Sequence, residues 1–179
     1  GNHRVSVAKI NGVENIDAEV VSLQSEIILK PSSTIKEILK QVIQYEKRVF
    51  YAETNFGDIT DYWTIDFSSP GQYDVLYQHI LIHKYYLNQN KSEEIEIHKA
   101  ILSWYTELYL PIIEAIKKQG LMKSFRNRTI SDMYVWLIRY WDELKQQFGE
   151  TISIEEAAND FSKIYKKSAI KRILEKITI

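Results

Sequence analysis

Two periods divide the hydrophobic positions of this chain. Before residue 31 a short helical stretch, His3 to Ile10, is stopped by Asn11-Gly12, a pair that turns easily. Ile16, Ala18 and Val20 then alternate with Asp17, Glu19 and Val21, the period-two pattern of a strand. Ile27 to Leu29 reads as a second extended piece before Pro31. These thirty-odd residues are too few to bury a core alone.

Beyond Pro31 the apolar residues recur three and four positions apart, the spacing of helices with one buried face. Thr34 with Glu37 forms a capping box ahead of Ile35, Ile38, Leu39, Val42, Ile43 and positions 45–50. Residues 51–68 break the period. They predict an ordered loop anchored by Phe56, Trp63 and Phe67, with a short strand around Trp63-Thr64-Ile65. Ser69-Pro70-Gly71-Gln72 then predicts a helix start, with a capping Ser, Pro at the first helical position and Gln at the third. Tyr73, Leu76, Tyr77, Ile80 and Lys84 continue that helix to a break at Asn88-Gln89-Asn90.

A long helical pattern follows from Ser92 to Lys118, with Ile101, Tyr105, Leu108, Tyr109, Ile112 and Ile116 on one side. Pro111 should kink it, because proline has no N–H and crowds the preceding turn. Gly120 ends it. Thr129 with Asp132 caps the next helix, whose stripe is Met133, Trp136, Leu137, Tyr140, Trp141, Leu144 and Phe148, closed by Gly149. Ser153 with Glu156 opens a last helix, carrying Ala157, Phe161, Ile164, Ile170, Ile173, Leu174 and Ile177. Short connections favour antiparallel packing of four to six helices. The expected fold class is therefore mainly α: a multi-helix, bundle-like domain over residues 31–179, preceded by a truncated α/β remnant over residues 1–30.

Composition narrows the function classes. The chain is 45% apolar and 26% charged, with six Gly and three Pro, which describes an ordered globular chain rather than a disordered one. Its formal charge of -1 gives no general reason to expect nucleic acid or an anionic membrane, so any basic surface must be local. The absence of cysteine removes disulfides, thiol nucleophiles and Cys-ligated metals, and fits a reducing, cytoplasmic setting. No apolar run approaches the roughly 18 residues of a spanning helix, so no membrane partner is expected. Twelve Tyr, six Phe and four Trp sit mostly at helical spacing, where they should fill the core.

Four sets of residues carry candidate chemistry. Gly1-Asn2-His3-Arg4 leads into a helix, where free backbone N–H groups and a forked cation suit phosphate. Arg126 and Arg128 gather beside Thr129 and Asp132 at a helix start, suited to an anion or nucleic-acid backbone, or else to binding carboxylates and carbonyls while Asp132 caps. Lys163, Lys166, Lys167, Lys171, Arg172 and Lys176 make the last helix basic, either to track DNA phosphates or as an ordinary solvated face. His79 and His83 lie one turn apart, a spacing that can hold a metal with His98, or Glu107 or Asp132, as third ligand. The residues between them include no Glu, so a zinc-protease motif is excluded. Hydrogen-bonded core histidines are the expectation, and no metal is assigned. No nucleophile elbow, P-loop or acid–base pair is present, and no catalytic residue follows from the spacing.

The stretch Gly1 to Ala8, then Gly12, then Ile16-Asp17-Ala18-Glu19-Val20, resembles the closing part of a ParB/sulfiredoxin-like domain. In that superfamily a Gly-x-x-Arg or Gly-x-His-Arg motif starts a helix and contacts nucleotide phosphates; ParB proteins bind CTP there, sulfiredoxins ATP, and related free-serine kinases share the fold. The resemblance implies phosphate contact at Gly1, Asn2, His3 and Arg4, and a nucleotide with Mg²⁺ as cofactor. Where ParB carries Glu-Arg-Arg after the Gly, this chain has Asn-His-Arg, so a preference for CTP is not implied. The upstream strands, an acid before the Gly and the sulfiredoxin Cys are not in this sequence, which is expected to begin inside that domain.

A second resemblance covers more of the chain. Ser69-Pro70-Gly71 with Tyr73, His79-Ile80 with His83, Ser103-Trp104-Tyr105 with Tyr109 and Pro111, and Phe125 with Arg128-Thr129, Asp132, Tyr134 and Trp136 together look like a helical domain found beside ParB-like domains in bacterial proteins often labelled transcriptional regulators. The two resemblances imply a DNA-associated regulator or scaffold with a nucleotide-binding module. The alternatives are a small-molecule kinase or nucleotide hydrolase of the same class, and a helical interaction domain that forms a homo-dimer.

Overall fold

The computed structural model describes residues 2–15, 27, 30–89, 91, 93–125 and 127–177, and for residues 2–5 and 166–177 the backbone only. Every regular element among them is helical: α1 (Asn2–Ile10), α2 (Ile35–Thr54), α3 (Phe56–Thr60), α4 (Gln72–Asn88), α5 (Ile97–Trp104), a π-helical segment (Tyr105–Tyr109), α6 (Leu110–Lys118), a short 3-10 turn (Leu121–Lys123), α7 (Ile130–Phe148) and α8 (Ile154–Ile177). The expected mainly helical, bundle-like body is thus present. The strand expected over residues 16–21 and the extended piece at 27–29 lie outside the described residues, Ile27 apart, which sits in a bend.

Where helix starts rest on local chemistry, they fall as the sequence predicts. Thr34 Oγ1 accepts the Glu37 N–H at 3.3 Å while the Glu37 carboxylate takes the Thr34 N–H at 2.8 Å. This reciprocal pairing satisfies two amides that a helix start otherwise leaves open. The same box closes at Thr129–Asp132 and at Ser153–Glu156. Gly12, Gly120 and Gly149 stand at positive φ where their helices stop.

Three segments differ from the sequence expectation. Residues 51–68 are not a long loop: α2 runs on to Thr54, and α3 follows after a single residue, Asn55, whose φ of 52° turns the chain. No strand forms at Trp63–Ile65. Phe56 and Phe67 do anchor the segment in the core, whereas Trp63 is 52% exposed and stacks on Tyr51 at 5.4 Å. Tyr51 also holds the path of the chain, since its hydroxyl accepts the Ile65 N–H at 3.1 Å and donates to the Tyr62 carbonyl. Burial pushes that phenol up to about 12.

The second difference is at α4. Ser69 does not cap it; the helix begins at Gln72, with Gly71 at φ 80° and no side-chain cap of its own. Instead Glu46, from the middle of α2, takes the Gly71 N–H with both carboxylate oxygens, at 2.8 and 3.0 Å. An acceptor supplied from another helix leaves no trace in the local pattern.

The long pattern over 92–118 is likewise divided. The helix begins at Ile97, and Pro111 is accommodated by the π-helical turn before it. The Leu110 N–H reaches the Tyr105 carbonyl five residues back, and this wider turn absorbs a proline that a regular helix would exclude.

Packing is mostly between elements close in the chain order. α4 lies against α5 and α7, α6 against α7 and α8, α2 against α3 and α4, and α3 against α5. Buried between them are Phe50, Phe56, Tyr73, Leu76, Ile101, Trp104, Tyr109, Ile112, Tyr134 and Leu137, the aromatic members in ring-to-ring contact. α7 is buried more widely than its stripe predicts, through Ser131, Asp132, Tyr134 and Val135, because it is covered by α4 on one side and by α6 and α8 on the other. Phe148, at its end, is 64% exposed.

Candidate functional site

The sequence-predicted phosphate contacts fall largely at the edge of what the structure describes. Gly1 and Arg126 lie outside the described residues, as do the side chains of Asn2, His3, Arg4, Lys166, Lys167, Lys171 and Arg172. The backbone at Asn2, His3 and Arg4 is helical, forming the first turn of α1, with no acidic residue in that turn. That turn itself thus supplies no acid to offset the positive end of the helix dipole.

Arg128 is engaged within the fold. Its guanidinium donates to Ser68 Oγ at 3.0 Å and Ser69 Oγ at 3.3 Å, and lies 5.1 Å over the ring of Trp136. Beside it Asp132, only 4% exposed, caps α7 through the Thr129 N–H at 2.8 Å and holds the Ser68 N–H at 3.1 Å. Thr129 Oγ1 donates to the Asp66 carbonyl. Arg128, Thr129 and Asp132 thus form one joint between α7 and the segment leading to α4.

The histidines lead to a different place. His79 Nδ1 is 3.2 Å from the Tyr134 hydroxyl and His83 Nε2 is 2.8 Å from Ser103 Oγ, while His98 lies exposed beside Glu96. Among the described residues no three His, Asp or Glu side chains are arranged to hold a metal ion. His79 and His83 instead stand on one side of a cleft of about 290 Å³ between α4, α5, the π-helical turn and α7, faced by Trp104, Leu108, Ile138 and Trp141. Burial lowers the pKa of both imidazoles, assisted at His79 by the charge of Arg139 and opposed at His83 by Glu107. Both rings are accordingly neutral at pH 7. Each spends one nitrogen on its neighbour.

No protein-family model, curated protein or solved structure matches this chain. The site is therefore described by its own chemistry. Behind the lining, the Tyr134 hydroxyl that meets His79 is held protonated by burial. The fully buried Trp104 indole N–H stands close to that hydroxyl without forming a hydrogen bond of good geometry. A buried donor left in this state is uncommon and costs about 1–3 kcal/mol.

The turn of chain that places Trp104 and Leu108 in the wall is the π-helical one, and turns of this kind recur at functional sites. The i, i+4 pair of histidines was the one local signal of the cleft in the sequence. Trp104, Ile138 and Trp141 come from elements that only the fold brings together.

Proposed function

We propose that this chain forms the helical body of a DNA-associated regulator or scaffold that handles phosphate through Gly1, Asn2, His3 and Arg4, with a nucleotide as ligand. The observation that carries the proposal is that Asn2, His3 and Arg4, the residues that carry the resemblance, fall within the helix α1, with no acid in its first described turn. Arg4 adds a fixed positive charge whose planar fork suits a phosphate. The residues that resemble the helical domain of ParB-associated regulators support it further. Arg128 donates to Ser69, and Tyr134 meets His79, Trp104 and Tyr109 through a hydrogen bond and ring contacts.

Nucleotide binding followed by calorimetry, with CTP, ATP and ADP in the presence of Mg²⁺, tests this reading. Arg4→Ala is expected to weaken binding by about tenfold or more, and an unchanged affinity would remove the assignment. Duplex DNA at low salt is the second arm: absence of binding with and without nucleotide would refute the DNA role. Turnover of any of the three nucleotides would favour the kinase or hydrolase alternative.

A second reading, as an interaction domain, is favoured by α2. Ile35 is 77% and Leu39 45% exposed on the rim of a broad groove that runs past Asp66 and Phe67. An assembly through this face would appear as a rise in solution mass with concentration, and a monomer at all concentrations would count against it.

A further inference from the structure

The geometry points to a binding site separate from the α1 motif: the cleft between α4, α5 and α7 receives a small, uncharged aromatic molecule that carries a hydroxyl or carbonyl group. Size is the first constraint. At about 290 Å³ the cleft lies at the lower end of small-molecule sites, which span roughly 300–1,000 Å³. Its walls are the second. Ile82, Leu108 and Ile138 give aliphatic surface, and the half-buried Trp141 adds an aromatic one, with Trp104 buried within the wall.

The polar groups select a neutral partner. Among the described residues, His79 and His83 each have a second ring nitrogen with no hydrogen bond, and both rings are uncharged at neutral pH. A hydroxyl can donate to one such nitrogen or accept from it, and a carbonyl can accept, whereas a carboxylate or phosphate would lose hydration without meeting a compensating charge. The two charged groups in the lining, Asp142 and Lys145, have opposite signs and give the lining no net charge. Lys145 is in addition paired with Glu150 at 3.2 Å and lies 4.1 Å over the Trp141 ring. The independent mark of a site is Trp104, a fully buried residue in the cleft wall whose N–H lacks a well-formed hydrogen bond.

Titration of the whole chain with 1-naphthol, followed by calorimetry and by the indole N–H resonances of the tryptophans, tests the proposal, with 1-naphthoate as the charged counterpart. Saturable binding of 1-naphthol with Kd below about 1 mM is expected, and 1-naphthoate should bind about tenfold more weakly or worse. Ile82 is 52% exposed at the cleft, so Ile82→Trp should fill the entrance without unfolding the chain and weaken 1-naphthol by about tenfold. His83→Leu keeps the wall apolar and removes a polar anchor; it should weaken 1-naphthol severalfold, and it decides the matter if Ile82→Trp alters the melting temperature. No saturable binding of 1-naphthol, equal binding of 1-naphthoate, or unchanged affinity in the folded variants would each overturn the assignment.

Discussion

Replacing Asp132 by Ala should be among the most damaging single changes at a polar side chain in this protein. One carboxylate oxygen holds the Thr129 N–H at 2.8 Å and the other the Ser68 N–H at 3.1 Å, the latter across 64 residues of sequence. Hydrogen bonds to a charged group contribute about 1.5–3 kcal/mol each. Both of these are partly open to water, so the low end applies and the pair sums to about 3 kcal/mol. For a chain of this length that loss corresponds to a fall of roughly 6–12 °C in melting temperature.

Glu37→Ala is the natural control, because it removes the same capping box from α2 at an exposed position with no tie to a distant segment. It should cost about 0.5–1 kcal/mol. Asp132→Asn, with a single carbonyl oxygen, can keep at most one of the two bonds and should fall between the two variants. Urea denaturation of the four proteins measures all of this directly. If Asp132→Ala costs no more than Glu37→Ala, the joint between α7 and residues 66–69 does not hold the fold, and the account given of Arg128 and Thr129 fails with it.

Two further perturbations test other parts of the structure. The pKa values of His79 and His83 are lowered by burial, so on acidification the unfolded chain takes up protons before the folded one. Stability should be full above about pH 7 and decline as pH falls through the unfolded value near 6.5; the urea midpoint from pH 7.5 to 5.5 reads this, and a flat profile, or one unchanged in His79→Gln/His83→Gln, would exclude it. Gly57→Ala would bring a Cβ within 2.4 Å of the Trp63 ring. Trp63 must then leave its stack on Tyr51, at a cost of about 1–2 kcal/mol, and adding Trp63→Ala should remove most of the difference between Gly and Ala at 57.

How much of this was legible in the sequence depended on how far apart the interacting groups lie. The three capping boxes need only a hydroxyl and a carboxylate three residues apart, and all three formed. The start of α4 did not follow its local signal, because Glu46 took over the role that Ser69 was expected to fill, and Ser69 was left to receive Arg128. α3 went unrecognised since five residues carry too little periodicity to show a helix. The stripe read over residues 101–116 omitted Trp104, the largest fully buried side chain, although it lies one turn after Ile101 on the same face of α5. For the cleft, histidine spacing was visible. That the two rings turn to Tyr134 and Ser103, and so become walls instead of ligands, is settled by helices that are distant in sequence.

The π-helical turn at Tyr105–Tyr109 also has a bearing on how this protein tolerates changes in length. Deleting one residue within it would let α5 run into α6 as a regular helix, an improvement by any local measure except at Pro111. The same deletion would rotate everything beyond it by about 100°. Ile112 and Ile116 would swing away from α7, and Tyr109 would leave Ser131. The helix and the tertiary core therefore require different residue counts over this stretch, and the core's count prevails. A deletion scan across residues 104–111 should accordingly find no tolerated position there, whereas loss of any one of the exposed residues 89, 91, 93 or 94 should be absorbed.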